Sequence, residues 1–156
     1  MNIENAIIIA MKAHYGQKDK CGDPYILHPL WVMSRMYTED EKVCAVLHDV
    51  VEDTDITLNM LKNQGLTDIQ AEAINLLTHK NGIPYMWYIA ELSSNRIARK
   101  VKIADLEHNR MPDRQIRAID NGADEKQMIK KQRLYTLAYM GLIKEADKYW
   151  FLNIEA

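Results

Sequence analysis

Apolar positions recur with helical spacing from one end of the chain to the other. Ile3, Ile7, Ala10, Met11 and His14 fall on one helical face. Gly16 to Pro24 is rich in Gly, Asp and Lys and reads as a loop. Pro29 suits the first turn of the next helix, where its missing N–H costs nothing. Thr38, with Glu41 three residues on, has capping-box spacing. It predicts a helix carrying Val43, Val46, Leu47, Val50 and Val51. The β-branched residues there make a buried strand the rival, and the cap and spacing favour helix. Thr57 predicts a short helix ending at Gly65, Thr67 with Gln70 another through Leu77, and Pro84 one carrying Tyr85, Tyr88, Ile89 and Leu92. Asn95 caps a helix from Arg96 to about Arg110, which Pro112 stops. Asn121-Gly122 marks a turn, Asp124 opens a helix through Met140, and Gly141 precedes a last helix ending near Phe151. With no alternating strand pair, the expected architecture is an all-α helical bundle.

Composition narrows the function. The chain has 156 residues, 47% hydrophobic and 27% charged, with a net charge of −2. A single domain over 1–156 is expected, since no linker, repeat or low-complexity tract interrupts it. The charge balance argues against a broad basic face for duplex nucleic acid, yet leaves room for a basic pocket around one phosphorylated small molecule. No apolar run reaches membrane-span length. The start, Met1-Asn2-Ile3-Glu4, lacks signal-peptide character. Cys21 and Cys44 form no CxxC pair, so two reduced thiols and a cytoplasmic location are expected.

Chemistry concentrates in His48-Asp49-Val50-Val51-Glu52-Asp53. On a helix His48 and Glu52 share a face, as do Asp49 and Asp53. Polar groups beside Val46 and Leu47 need partners, and a divalent cation would satisfy them. His28 and Asp105 offer a further nitrogen and oxygen from apolar surroundings. Spacing alone leaves two readings open: a metal site, or satisfied core histidines with Asp49 as a buried ion-pair partner.

Three segments change that balance: Gly22 to Pro29, Ala45 to Thr54, and Val101 to Asn109. They closely resemble the hydrolase domain of the RelA/SpoT family, above all its short single-domain members, the metazoan SpoT homologue and its bacterial counterparts. The resemblance runs from about Ile7 to Tyr139. It implies an HD-domain fold holding one Mn²⁺ and removing the 3′-pyrophosphate of ppGpp or pppGpp in the stringent response. It further implies that His28, His48, Asp49 and Asp105 are metal ligands, with Glu52 and Asp53 as the catalytic acidic pair. Asn109, one turn after Asp105, matches a residue contacting the nucleotide. Lys80 aligns with a basic residue near the substrate. Lys131 and Tyr135 match an Arg/Tyr pair near the phosphates, with Lys in place of Arg. Lys18 or Lys20 stands where the family carries an Arg that packs on the guanine. His108 and Arg110 depart from the family's usual segment and add polar groups near the cavity. Alternatives are the same chemistry on another nucleotide (NADPH, a nucleoside monophosphate, a pyrophosphorylated tRNA end) and a nucleotide sensor without turnover. His14 and His79 are expected to be packing or surface residues. The aromatic groups at Tyr85, Trp87, Tyr88 and 149–151 are expected in the core or at an oligomer contact.

Overall fold

The computed structural model of the chain describes residues 1–147. Ten helices follow one another: α1 (Ile3–Ala13), α2 (Leu27–Ser34), α3 (Glu39–Leu47), α4 (Val50–Asp53), α5 (Leu58–Asn63), α6 (Asp68–Leu77), α7 (Tyr85–Leu92), α8 (Arg96–Asn109), α9 (Pro112–Asp120) and α10 (Glu125–Asp147). Among the described residues the only extended pairing is an isolated bridge between Lys18 and Pro24. No described helix is long and apolar enough to cross a membrane.

The caps read from the sequence open these helices. Thr38 and Thr67 each form a complete capping box, with Glu41 and Gln70 closing them. Thr57 and Asn95 accept from Met60 N and Ala98 N. Three boundaries differ from expectation. The helix begun at Thr38 stops at Leu47 and resumes at Val50, leaving His48 and Asp49 in the turn between. The His48 imidazole bonds the carbonyl of Ala45 at 2.7 Å, a side-chain claim on the last turn of the kind that interrupts helices. Pro112 both stops α8 and opens α9, since proline suits the first helical position. Gly141 does not divide the last helix, because Ala138 and Leu142 on either side of it are fully buried. That packing outweighs the roughly 1 kcal/mol that glycine costs within a helix. Residues 149–151 lie outside the described residues.

α3 runs through the middle. Val43, Cys44, Ala45, Val46 and Leu47 are all 0% exposed. A helix apolar on every side must be surrounded. α1, α2, α6 and α8 pack around it, and α10 lies against α8 and α7. The site-bearing ends of α2, α3 and α8 are thereby held by one continuous core.

A polar tie reinforces that packing. Glu41 is buried, and its Oε2 accepts from Tyr37 N (3.0 Å), Thr38 N (3.2 Å) and Lys100 Nζ of α8 (2.7 Å). Burial by itself raises the Glu41 pKa, but Lys100 and the two amides hold it below the usual carboxylate range. A depressed carboxylate contributes stability above its unfolded pKa and loses it as pH falls through the folded one. Glu41→Gln is therefore expected to cost about 2 kcal/mol at neutral pH. Its deficit against the wild type should shrink on acidification below about pH 4, as urea melts across pH will show.

The loop between α1 and α2 is pinned to α9. Arg114 pairs with Asp19 at 3.0 Å, and Arg117 with Asp23 at 2.7 Å. Asn121 donates to Lys20 O at 3.1 Å. Gly22 turns this loop with φ +84°, a conformation that side chains resist, and the Asn121 amide lies close by. The unexpected helix α9 thus positions the lysine-bearing loop.

Candidate active site

His28 is the second residue of α2, His48 caps the C-terminus of α3, Asp49 follows it, and Asp105 comes from α8. One ligand atom from each of His28, His48 and Asp49 can be chosen so that all three lie within 4.8 Å of one another. His48 Nε2 is 3.0 Å from Asp49 Oδ2, and His28 Nε2 is 3.6 Å from it. Asp105 Oδ1 lies 3.2 Å from His28 Nε2 and 3.9 Å from His48 Nε2. Both imidazoles and Asp105 are buried, and Asp49 is 19% exposed.

The electrostatics follow from crowding two carboxylates around two imidazoles out of water. Burial raises the Asp49 pKa, but His48 and His28 beside it hold it far below the ordinary carboxylate range. Burial likewise opposes charge on His48, yet Asp49, Asp105 and the Ala45 carbonyl together push it up to about 9. The cluster therefore draws positive charge to itself.

The donor geometry suits a divalent cation. A carbonyl only accepts, so the 2.7 Å contact from His48 Nδ1 to Ala45 O places the hydrogen on Nδ1. In the neutral ring, the form that binds a cation, Nε2 then carries the lone pair; it is buried, with no aligned hydrogen bond, and Asp49 Oδ2 stands 3.0 Å from it. Two imidazole nitrogens and two carboxylates form a set that Mn, Fe, Co and Zn accept.

Lys102 modifies the charge reckoning. Its ammonium sits 2.7 Å from Asp105 Oδ2, one turn earlier on α8. Burial disfavours its charge, but Asp105 and the nearby Tyr88 and Tyr85 keep it firmly protonated. Two carboxylates facing one ammonium leave the cluster with less negative charge than a divalent ion carries. The loaded cluster would itself be cationic, but Glu52 and Asp53 beside it are anionic, so attraction for a polyanionic substrate falls mainly to the cavity lysines. Sequence reasoning missed Lys102; the signal was a lysine three residues before Asp105 in an otherwise apolar stretch.

The cluster opens into a cavity of about 580 Å³. His28, Asp49 and Asp105 line its buried end, and Glu52, Asp53, Asn109, Lys18, Lys20, Lys131 and Tyr135 line the rest together with Tyr25, Tyr85 and Tyr88. Lys80 is exposed in the turn before α7 and is not among the lining residues, whereas its neighbour His79 is. Tyr88 is buried and Trp87 exposed, so only part of that aromatic run serves the core. His14 is buried, with its Nδ1 2.6 Å from Gln17 Oε1.

Several cavity groups are already oriented. Glu52 Oε2 accepts from His79 N at 2.9 Å, leaving its other oxygen for the cavity. Desolvation chiefly raises the Glu52 pKa, with Asp49 and Asp53 adding to it. The Tyr25 hydroxyl sits 2.6 Å from Asp49 Oδ2 and 2.9 Å from Asp53 Oδ2, linking a cluster carboxylate to the acidic pair. Asn109 Nδ2 donates to Asp105 Oδ1 at 2.5 Å, so its amide steadies a carboxylate of the cluster. Burial and the neighbouring Lys131 ammonium both lower the Lys20 pKa. Two ammonium groups held side by side favour an anion between them.

No protein-family model matches the chain. In sequence it is 44% identical over 61 residues to a guanosine-3′,5′-bis(diphosphate) 3′-pyrophosphohydrolase of Haemophilus influenzae, a stretch covering 36% of this chain and 9% of that protein. It is 35% identical over 80 residues to the protein of the same description from Borreliella burgdorferi, 49% of this chain and 11% of that one. A probable guanosine-3′,5′-bis(diphosphate) 3′-pyrophosphohydrolase of Synechocystis is 29% identical over 136 residues, 78% of this chain and 17% of its own length. The chain thus spans 9% to 17% of the length of these relatives. In fold it matches the solved structure of a metazoan ortholog of SpoT that hydrolyzes ppGpp and plays a role in starvation responses. The TM-score is 0.61 at 19% identity, covering 92% of this chain and 94% of that one.

Proposed function

We propose that this chain, similar in sequence to ppGpp pyrophosphohydrolases and in fold to a metazoan SpoT ortholog, hydrolyses the 3′-diphosphate of ppGpp or pppGpp with one Mn²⁺. The observation that carries the reading is the convergence of His28, His48, Asp49 and Asp105 at the buried end of a lysine-edged cavity. These four residues would hold the ion. When bound, a divalent cation supplies the positive charge that acidifies water and polarises a phosphoryl oxygen.

The chain's own groups supply the rest. Glu52 takes the proton of the attacking water on the carboxylate oxygen not engaged by His79 N. The bond that breaks joins the nucleoside 3′-oxygen to phosphorus; the water oxygen leaves in pyrophosphate and a proton goes to the 3′-oxygen, giving GDP or GTP. Asp53 holds the Tyr25 hydroxyl, and through it the attitude of Asp49. Lys20, Lys131 and Lys18 meet the phosphates at the mouth, each as a point charge that directs the anion inward without the planar fork of arginine. Lys80 would contribute only from the turn outside the lining. Tyr85, Tyr88 and Tyr135 narrow the wall and exclude water.

Purified protein with Mn²⁺ and a nucleotide panel tests the reading. Pyrophosphate release from ppGpp is expected. Orthophosphate release from NADPH with ppGpp untouched would move the substrate to the alternative class, and no turnover on any nucleotide would favour the sensor.

Asn109 provides a second check. Its bond to Asp105 gives it a part in ion binding besides the substrate contact that the family resemblance implies. Asn109→Ala is expected to weaken Mn²⁺ binding about tenfold, measured by calorimetric titration. An unchanged affinity with a raised KM would restrict Asn109 to the nucleotide.

A further inference from the structure

We infer that His108 is a positioning residue that sets the tautomer of His28 and so presents the His28 Nε2 lone pair to the ion; the inference rests on the metal reading above. His28 Nδ1 and His108 Nδ1 are 2.7 Å apart, and both rings are buried. Two nitrogens at that separation share one hydrogen. The ring planes differ by only 18°, with centroids 4.9 Å apart. That is close to the nitrogen–nitrogen distance plus the two ring radii, so the imidazoles meet edge to edge, in the plane a hydrogen bond requires.

The direction of the bond follows from the other edge of His28. Its Nε2 faces Asp105 Oδ1 at 3.2 Å and Asp49 Oδ2 at 3.6 Å, where the ion would sit. A nitrogen that binds a cation carries no hydrogen. His28 Nδ1 must then donate, and His108 Nδ1 must accept, which puts the hydrogen of His108 on its own Nε2. His48 reaches the same state differently, by donating to the Ala45 carbonyl. One ligand imidazole is therefore oriented by main chain and the other by a replaceable side chain.

His108 is itself held in place. The Trp31 ring lies against it at 4.6 Å and 23°, and the Arg35 guanidinium stands 5.4 Å from the Trp31 ring. His108 follows Asp105 by three residues on α8, so one helical face carries a ligand and the group that orients a second ligand. An acceptor behind a metal-bound histidine typically contributes ten- to a hundredfold in affinity.

The test compares Mn²⁺ titrations of the 156-residue wild type, His108→Phe and His108→Asn, with circular dichroism confirming each fold. Phenylalanine keeps the ring against Trp31 and removes the acceptor; asparagine restores an acceptor oxygen. His108→Phe is expected to bind Mn²⁺ about ten- to a hundredfold more weakly, and His108→Asn to recover most of that loss. Long-range ¹H–¹⁵N spectra of the wild type with Zn²⁺, a diamagnetic probe, should place the hydrogen of His28 on Nδ1 and that of His108 on Nε2. Equal affinity in His108→Phe and wild type overturns the inference, as does equal loss in both variants or a hydrogen on His28 Nε2. A wild type that binds neither ion overturns the metal reading and this inference together. A wild type that binds both ions while His108→Phe is unaffected overturns the inference alone.

Discussion

Asp49→Ala is expected to leave a folded protein that retains no divalent metal and, on the proposed function, turns over ppGpp roughly a thousandfold more slowly, or not at all. The size of the effect comes from how many roles meet on one carboxylate. Asp49 Oδ2 faces His48 Nε2 at 3.0 Å and His28 Nε2 at 3.6 Å, and it accepts the Tyr25 hydroxyl at 2.6 Å. Its removal takes away one of the two carboxylate donors and leaves Lys102 to neutralise the other. The remaining set of two imidazoles and a lysine-paired aspartate holds a divalent ion poorly. Asp49 lies in the turn between α3 and α4 and is only partly buried, so alanine opens no cavity in the core. Metal analysis of the purified variant, thermal unfolding and pyrophosphate release separate these outcomes. A variant that keeps both its metal and its turnover sinks the proposed centre.

Glu52→Gln is expected to do the reverse: metal content intact, kcat lowered about a hundred- to ten-thousandfold. The amide oxygen of glutamine preserves the bond from His79 N, so the side chain stays where it is. What it loses is the capacity to take a proton. Glutamine keeps the size of the side chain and its one hydrogen bond at the cavity wall, so the variant should melt with the wild type. Stopped assays over a range of ppGpp concentrations, beside metal analysis, will show whether kcat falls alone. Unchanged kcat would remove Glu52 from the mechanism and leave Asp53 as the remaining carboxylate of the pair.

Much of the architecture was legible because it is written in short-range chemistry. Thr38 with Glu41, and Thr67 with Gln70, satisfy backbone donors within three residues of themselves, so their helices begin where the sequence places them. The reading erred where one residue type serves two purposes. Pro112 was legible as a stop and proved also to be a start, which hid α9 and with it the arginines that anchor the loop carrying Lys18 and Lys20. Gly141 suggested a break that the burial of Ala138 and Leu142 overrides. The interruption at His48 and Asp49 was invisible, because its helical spacing is regular and a side-chain bond to Ala45 breaks it.

The amino-acid sequence by itself determined the all-α character, most helix starts, and the residues able to act as nitrogen and oxygen donors. These depend on interactions within about one helical turn, which local pattern records. The tertiary structure alone decided that Lys102 pairs with Asp105, that Tyr25 bridges Asp49 and Asp53, and that His108 meets His28 across 80 positions. It also decided that Lys80 stands outside the cavity that Lys20 and Lys131 line. Such juxtapositions come from packing α2 and α8 against the buried α3. Their geometry is set by the shape of the whole core, which no local spacing specifies.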